Sequence, residues 1–334
     1  MPALHELPSF MSYFGFTQES TFATPLAATF WNPMTSCSME PDPQVFYPPV
    51  MQGRRDAQIY ALYGASKAVG DFTAPFFPSS AHLLKSAIGT ESATTPVGSG
   101  GRYIHTFSQA DVLDSLTFEK NIGGYQSEQY AGGRITKFNL SCPTSNAPVG
   151  MVVGVESKLP IVVTPSTPSW VFDTPFVFAE GTVTLYNGVI ATVTDLTFSL
   201  DNGVKSVHTI QNVGHSPSFI TPQHIKVSGT MKVVFQSLDD ATVGYFNKAL
   251  PPSAANGYGP SGIQGALSFT FAHPASAGGD SITIDVPQIN LSKYADTLNI
   301  GDLVVTDLGW EASYSQSSGY TVQAQVTNSH SASY

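Results

Sequence analysis

The chain has 334 residues, of which only 11% are charged, with 29 glycines, 24 prolines and a formal net charge of −10 at pH 7. A helical bundle needs many Glu, Lys and Arg on its wet faces, so this composition excludes one and favours strands and turns. The acidic balance also argues against a protein that grips nucleic acid, which needs Lys and Arg to neutralise phosphates. The length is comfortable for two modules, and a surface so poor in charge suggests cover by other chains.

The N-terminus "MPALHELPSFMSYFGF" has no basic stretch followed by an apolar run, so no secretory signal is expected. The sequons at Asn139 and Asn290 then carry little weight. Cys37 and Cys142 are too few for a disulfide framework and are expected as reduced, partly buried thiols. The acids of "EPD" at 40–42 read as turn residues, and 41–56 reads as a long Pro-rich loop. From Ile59 to Ile88 an apolar-alternating segment, a small-residue step "YGAS" and a second extended segment lead into a helix. That helix has Ser79 or Ser80 as N-cap, Leu83, Leu84, Ala87 and Ile88 at helical spacing, and Gly89 as its stop. A Gly/Ser-rich loop at 90–101 precedes strands at "YIHTFS" and "SLTFEK", then a turn at Gly123-Gly124. In "TKFNLSC", Phe138 and Leu140 alternate with polar neighbours, as in a half-buried antiparallel strand. The apolar run "PVGMVVGVESKLPIVV" is broken by Glu156, Lys158 and Pro160, so no membrane span is expected.

After the Pro/Ser/Thr-rich stretch at 163–175 the order begins again. Turns fall at "YNG" (186–188), "DNG" (201–203) and Gly278-Gly279. Period-two strands fall at "DLTFSL", "ALSFTFAH" and "SITIDV". A polar excursion at 211–224 leads into "HIKVSGTMKVVF", whose "VSGT" is matched with "YGAS". A second helix is expected with Asp239 or Asp240 as N-cap, Val243, Phe246 and Leu250 on one face, and Pro251-Pro252 as its stop. A Gly-rich loop at 253–265 follows, and the segment beginning at Tyr294 is matched with the one beginning at Tyr130. Strand, long loop, strands, helix, loop and strands thus occur twice. The reading is an internal duplication, with modules 1–165 and 166–334; two unrelated β-modules with generic patterning is the alternative.

Catalytic signatures fail. G-x-S-x-G and G-x-x-x-x-G-K-[ST] do not occur, the glycines of "NGYGPSG" (256–262) belong to the Gly-rich loop at 253–265 and not to a strand-to-helix nucleotide fingerprint, and none of the eight histidines forms H-x-x-x-H or H-E-x-x-H. His215 and His224 share a loop without a carboxylate or cysteine at ligand spacing, and read as solvated. A glycosidase-type carboxylate pair stays open, because such pairs meet only in three dimensions. Asp239-Asp240 fits a helix cap and "DVLD" at 111–114 a loop, while Trp31, Trp170 and Trp310 read as core or rim anchors. The expectation is a non-enzyme with no catalytic, cofactor-binding or metal-ligating residue and no cofactor.

Five stretches in order carry a resemblance: "FGFTQESTFATPLA", "SCSMEPDPQVFYPPVMQGRRDAQIYALYGASKAVGDFTAPFFP", "SSAHLLKSAIG", "HTFS…LTFEK" and "YAGGRITKFNLSC…GMVVGVESKL". Together they resemble the major tail tube protein of long-tailed, non-contractile bacteriophages, well over about residues 10–160 and through the repeat beyond. The doubled length departs from many members. The resemblance implies a mainly β fold of two tandem modules, each with antiparallel sheets or a half-barrel and one short helix. It implies a virion protein, made in the host cytoplasm without a membrane step, whose rings stack into a tube. Six modules close a ring, so three two-module chains suffice; a hexamer of whole chains is the alternative. The implied partners are other copies, the tape-measure protein in the lumen, terminator and tail-tip proteins, and double-stranded DNA in transit. Other readings are a different virion β-protein (terminator, distal-tail ring or decoration protein) or a carbohydrate-binding or hydrolytic β-sandwich.

Overall fold

The computed structural model describes residues 8–51, 53, 55, 58, 60–97, 101–144, 147–171, 173–186, 188–190, 193–210, 214–234, 245–249, 264–274, 279–298, 303–331 and 334. The first half runs β1 (Tyr13–Gln18), β2 (Phe30–Trp31), β3 (Ser36–Cys37), β4 (Glu40–Asp42), β5 (Val45–Phe46), β6 (Leu62–Tyr63) and β7 (Lys67–Pro75). Helix α1 (Ala81–Ile88) follows, then β8 (Gly89–Val97), β9 (Arg102–Gln109), β10 (Leu116–Ile122), β11 (Gln126–Pro143), β12 (Gly150–Ser157) and β13 (Ile161–Val163). The second half holds β14 (Gly181–Leu185), β15 (Gly188–Ile190), β16 (Val193–Asp201), β17 (Lys205–Val207), β18 (Phe219–Thr221) and β19 (Lys226–Val234). Helix α2 (Tyr245–Ala249), β20 (Gly265–Ala272), β21 (Ser281–Thr297), β22 (Val305–Ala312) and β23 (Gln323–Asn328) complete it.

All strand pairs are antiparallel, and the fold is mainly β. Two long strands organise it. The C-terminal part of β11 lies between β12 and β16, and its N-terminal part between β10 and β13. A bulge between Ile135 and Lys137 marks the change of partner, since an extra residue bends a strand and lets it leave one sheet for another. β21 has the same arrangement, with β22 on its C-terminal part, β20 and β23 on its N-terminal part, and a bulge between Leu291 and Lys293. The outer strands also agree. β7 adds to β12 as β19 adds to β22, and β3–β4 add to β7 as β16 adds to β19. β1 lies on β10 as β14 lies on β20.

Eight strand positions thus form one continuous layer, in the order β3–β4, β7, β12, β11, β16, β19, β22, β21. The N-terminal parts of β11 and β21 carry the opposing layers, and the core lies between. Phe72, Val153, Phe138, Phe198, Met231 and Leu308 enter it from the first layer, all essentially buried. Phe14, Phe118, Tyr130, Phe269, Ile284 and Val326 enter from the other. Alternation explains the split, because successive strand residues point to opposite faces. α1 buries Leu83, Leu84, Ala87 and Ile88. It also buries Lys85, whose Nζ finds Asp114 and Gln18 Oε1.

The two halves are joined twice. β16 pairs with β11 from Lys137↔Asp201 to Pro143↔Asp195. β9 pairs with β23, from Gln323↔Ser108 to Asn328↔Tyr103. Arg102 reinforces the second joint, with Asp280 Oδ1 at 2.7 Å.

Several expectations change. Residues 89–97 form β8 rather than a loop: "TESATT" supplies threonines suited to a strand, and β9 supplies the partner. The "EPD" acids lie in β4, not a turn. The loops at 41–56 and 211–224 contain the hairpin strands β5 and β18. "YGAS" runs from the last residue of β6 to the residue before β7, whereas "VSGT" lies inside β19, so the two do not correspond. By pairing, Gly229 corresponds to Gly70. A Cβ at Gly70 would sit 2.4 Å from the Met39 backbone, and one at Gly229 would sit 2.1 Å from Thr197 O; both let a neighbouring strand cross closely. Tyr294 faces Leu308 and so stands where Phe138 stands, not Tyr130. Ser80 makes no side-chain N-cap bond, because a 3-10 turn at Pro78–Ser80 leads into α1 and its Oγ accepts the Phe77 N–H instead. Asp239, Asp240, Val243, Leu250 to Pro252 and Gly278 lie outside the described residues.

Candidate assembly surfaces

The face of the eight-strand layer that points away from the core is wet and rich in hydroxyls. Thr197 and Thr230 hydroxyls lie 2.8 Å apart, and the Ser199 hydroxyl donates to Asn139 Oδ1 at 2.7 Å. Lys67, Lys137, Lys226, Lys232 and Lys293 rise from it. Each stands within 4.0 Å of a carboxylate: Glu156, Asp71, Glu311, Asp195 and Asp307 respectively. Such exposed pairs add little stability, roughly 0–1 kcal/mol each. Their effect is on what the face can hold: each of these five ammonium groups has a resident anion, and Glu40, Asp42 and Asp201 add further negative charge.

The second surface is apolar. The β5–β6 hairpin exposes Phe46, Tyr47, Tyr60 and Tyr63, each at least half accessible, and Met51 is fully so. The β17–β18 hairpin exposes Val207, Phe219 and, just beyond β17, Ile210. The two hairpins dock together. Ser66 N–H donates to the His215 carbonyl at 2.8 Å, His215 Nδ1 is 3.1 Å from Gly64 O, and His208 Nε2 is 3.2 Å from Ser66 O. Large exposed apolar groups concentrated in this way mark a contact site rather than a solvated loop. His215 and His224 are exposed, as expected, and the hydrogen bonds of His215 serve this docking.

A third cluster is internal. His82 lies against Phe30 in a tilted arrangement with ring centroids 3.6 Å apart, and meets Tyr334 and His330. His105 bonds Glu91 through Nδ1 at 2.7 Å and the His330 carbonyl through Nε2 at 2.8 Å. Tyr334 N–H donates to the other Glu91 oxygen at 2.7 Å. The C-terminal residues are therefore fastened onto α1 and the β8–β9 hairpin. Sequence reading did not assign these histidines, because they come together from distant parts of the chain.

A cavity of about 320 Å³ lies beside β14, β16 and β20, lined by Cys142, Val183, Leu196, Phe269 and Phe271 among others. Burial pushes the Cys142 thiol up to about 11, the direction of an inert thiol. Cys37 is half-buried and its thiol is also raised by burial. Trp31 and Trp310 are core residues, and Trp170 is a partly exposed rim residue. Among the described residues no group of three or more His, Cys, Asp or Glu is placed to hold a metal, and no helix is long and apolar enough to cross a membrane.

Compared with known proteins, the chain matches the family model described as phage tail tube protein over residues 10–312. No curated protein matches it.

Proposed function

The chain belongs to the phage tail tube protein family, which makes it a structural protein of a bacteriophage virion that assembles with itself into a tube, and from that premise we propose that it is two tail-tube modules fused in one chain. The observation that carries this is the repeated pairing scheme. The three strands paired with β21, namely β20, β22 and β23, make the same antiparallel contacts as β10, β12 and β13 make with β11, with a bulge at the same step. Three chains then supply six modules and close a ring with pseudo-sixfold symmetry, and rings stack into the tube of a non-contractile tail. Its role is structural, not catalytic.

In this reading the wet face of the eight-strand layer faces the lumen. That lumen holds the tape-measure protein during assembly and passes double-stranded DNA at ejection. Proteins that retain DNA do so by releasing counterions from phosphates with free Lys and Arg. Here the lysines are already matched by carboxylates, and the remaining groups are hydroxyls and acids, so the wall repels DNA weakly and does not hold it. The apolar hairpins β5–β6 and β17–β18 serve ring-to-ring contact, and terminator and tail-tip proteins close the two ends. Synthesis takes place in the host cytoplasm, with no membrane step.

Negative-stain microscopy of the purified protein tests the reading. Tubes or stacked rings are expected. Discrete caps would instead favour a terminator or distal-tail ring, and monomers alone at high concentration would overturn self-assembly.

A further inference from the structure

One sheet edge inside the chain is filled, and its counterpart carries no strand among the described residues. The C-terminal part of β11 carries β12 on one side and β16 on the other. The matching part of β21 carries β22 on one side, and no described strand pairs with its other side. Likewise β16 has both neighbours, β19 and β11. Its counterpart β3–β4 pairs with β7 and, among the described strands, with nothing beyond. Two unfilled edges that correspond to the two sides of an existing joint are complementary by construction. Repeating the same step from chain to chain makes a heterologous contact, which closes into a ring when the rotation allows.

Resting on the fused-module reading above, we propose that the open edge at Lys293–Leu298 pairs antiparallel with Cys37–Asp42 of the next copy, with Lys293 opposite Asp42. The register comes from the chain itself. Asp201 faces Lys226 as Asp42 faces Lys67, and Leu196 faces Met231 as Cys37 faces Phe72. Lys137 faces Gly154 as Lys293 faces Gly309, and Phe138 faces Val153 as Tyr294 faces Leu308. The internal joint sets Lys137 opposite Asp201; transferred, it sets Lys293 opposite Asp42, Ala295 opposite Glu40 and Thr297 opposite Ser38.

Side-chain chemistry agrees independently of topology. The internal joint opposes a lysine to an aspartate and a serine to a threonine, at Lys137↔Asp201 and Ser141↔Thr197. The transferred register reproduces both pairings with Lys293↔Asp42 and Thr297↔Ser38. Leu298, 76% exposed in the single chain, falls opposite the half-buried Cys37. The open edge is also guarded. Ser38 N–H points to Asp71 O, so Met39 presents its carbonyl outward, where Lys120 Nζ caps it at 2.7 Å and Tyr130 OH at 3.2 Å. Pro41 offers no N–H. Caps and prolines blunt edge strands against indiscriminate pairing. Pairing requires Lys120 to release or share that carbonyl, and it keeps Glu128 Oε2 at 3.3 Å as a partner.

The test uses the full chain after assembly. A Glu40→Cys, Ala295→Cys double variant in a Cys37→Ser background is oxidised, and a Glu40→Cys, Lys293→Cys pair serves as the out-of-register control. Most subunits of the first should run as covalent multimers on a denaturing gel, and the control should stay largely monomeric. Zero-length carbodiimide coupling of wild-type tubes should join Lys293 to Asp42 or Glu40 between chains, which decides the matter if the cysteine variants do not assemble. Tubes that form without either link overturn this joint and leave the tube reading intact. A wild-type protein that never assembles overturns both.

Discussion

Glu19 is almost fully buried, and its carboxylate is satisfied from two directions. Oε1 accepts from the Thr117 hydroxyl at 2.7 Å and from Gly132 N–H at 2.8 Å, while Oε2 accepts from Ala23 N–H at 2.7 Å. It thereby ties the arm after β1 to β10 and β11. Glu19→Ala leaves buried donors without this acceptor, and each such loss costs about 1–3 kcal/mol; a urea melt should show a drop of at least that size, and an unchanged midpoint would remove the assigned role. Histidines give a second prediction. Burial first, then His330, Lys85 and His105, hold the His82 ring down at about 3. Burial and His105 lower His330, although Glu91 opposes them. Both rings stay neutral in the fold while the unfolded chain takes protons more readily. The stability they contribute is complete above about pH 6.5 and is lost as pH falls toward their folded values. His273 has the opposite sign: burial pulls it down, but Glu180 and the Thr174 carbonyl outweigh this and raise it. Its contribution is complete at low pH and is lost as pH rises through its folded value. The melting temperature should therefore fall between pH 6.5 and 4.5, and His82→Phe, which keeps a ring against Phe30, should fall less over the same range. Equal slopes would remove His82 from the account. In the sequence Glu19 is only one residue of "FGFTQESTFATPLA"; its partners were not legible, because Thr117 and Gly132 are near only after folding.

At the scale of elements, alternation was the reliable signal. Leu267, Phe269 and Phe271, then Ile282, Ile284 and Val286, alternate in the sequence and are buried in β20 and β21. Where alternation was weak the sequence misled. β4 is short, charged and carries Pro41, the features of an edge strand, so it reads as a turn. β8 reads as a loop because serine and threonine mark turns and strands alike until a partner is known. The "YGAS" and "VSGT" match failed because small residues occur both between strands and where strands cross closely. The loops at 41–56 and 211–224, which hold β5 and β18 of the projecting hairpins, read as long and Pro-rich or polar, and since loops of that length usually have a task the expectation from the sequence is ring-to-ring contact. Their exposed aromatics can be removed without touching the core. Phe46→Ser, Tyr47→Ser and Met51→Ser combined should leave a folded, more soluble subunit that forms single rings and no long tubes. Sedimentation and microscopy check this together, and normal tubes at normal yield would show that these tips do not join rings.

For the whole molecule, the number of chains per proposed ring follows from how many strands the wall needs. Each chain brings eight strand positions to one continuous layer, four from each half. Neighbouring strands lie about 4.8 Å apart, so three chains give a wall of about 115 Å circumference, or roughly 37 Å across between backbones before tilt is counted. The tilt of about 40° common in closed barrels widens this by about a third. Six chains with both halves in the wall would double every one of these lengths, whereas six with the second half outside it would give the same number of strands as three. In the proposed ring, fusing modules in pairs would also make every second module contact internal, where its effective concentration is high. It frees the two kinds of joint to differ: the internal one opposes Leu140 to Phe198, and the corresponding positions of the open edges are Asp296 and Met39. A ring of three chains should therefore open at alternate joints when diluted or acidified, releasing intact two-module chains. Mass measurement of isolated rings and the rotational symmetry of tube cross-sections decide the count. Three copies support fused modules closing the ring; six copies, with the second half outside the wall, would overturn it.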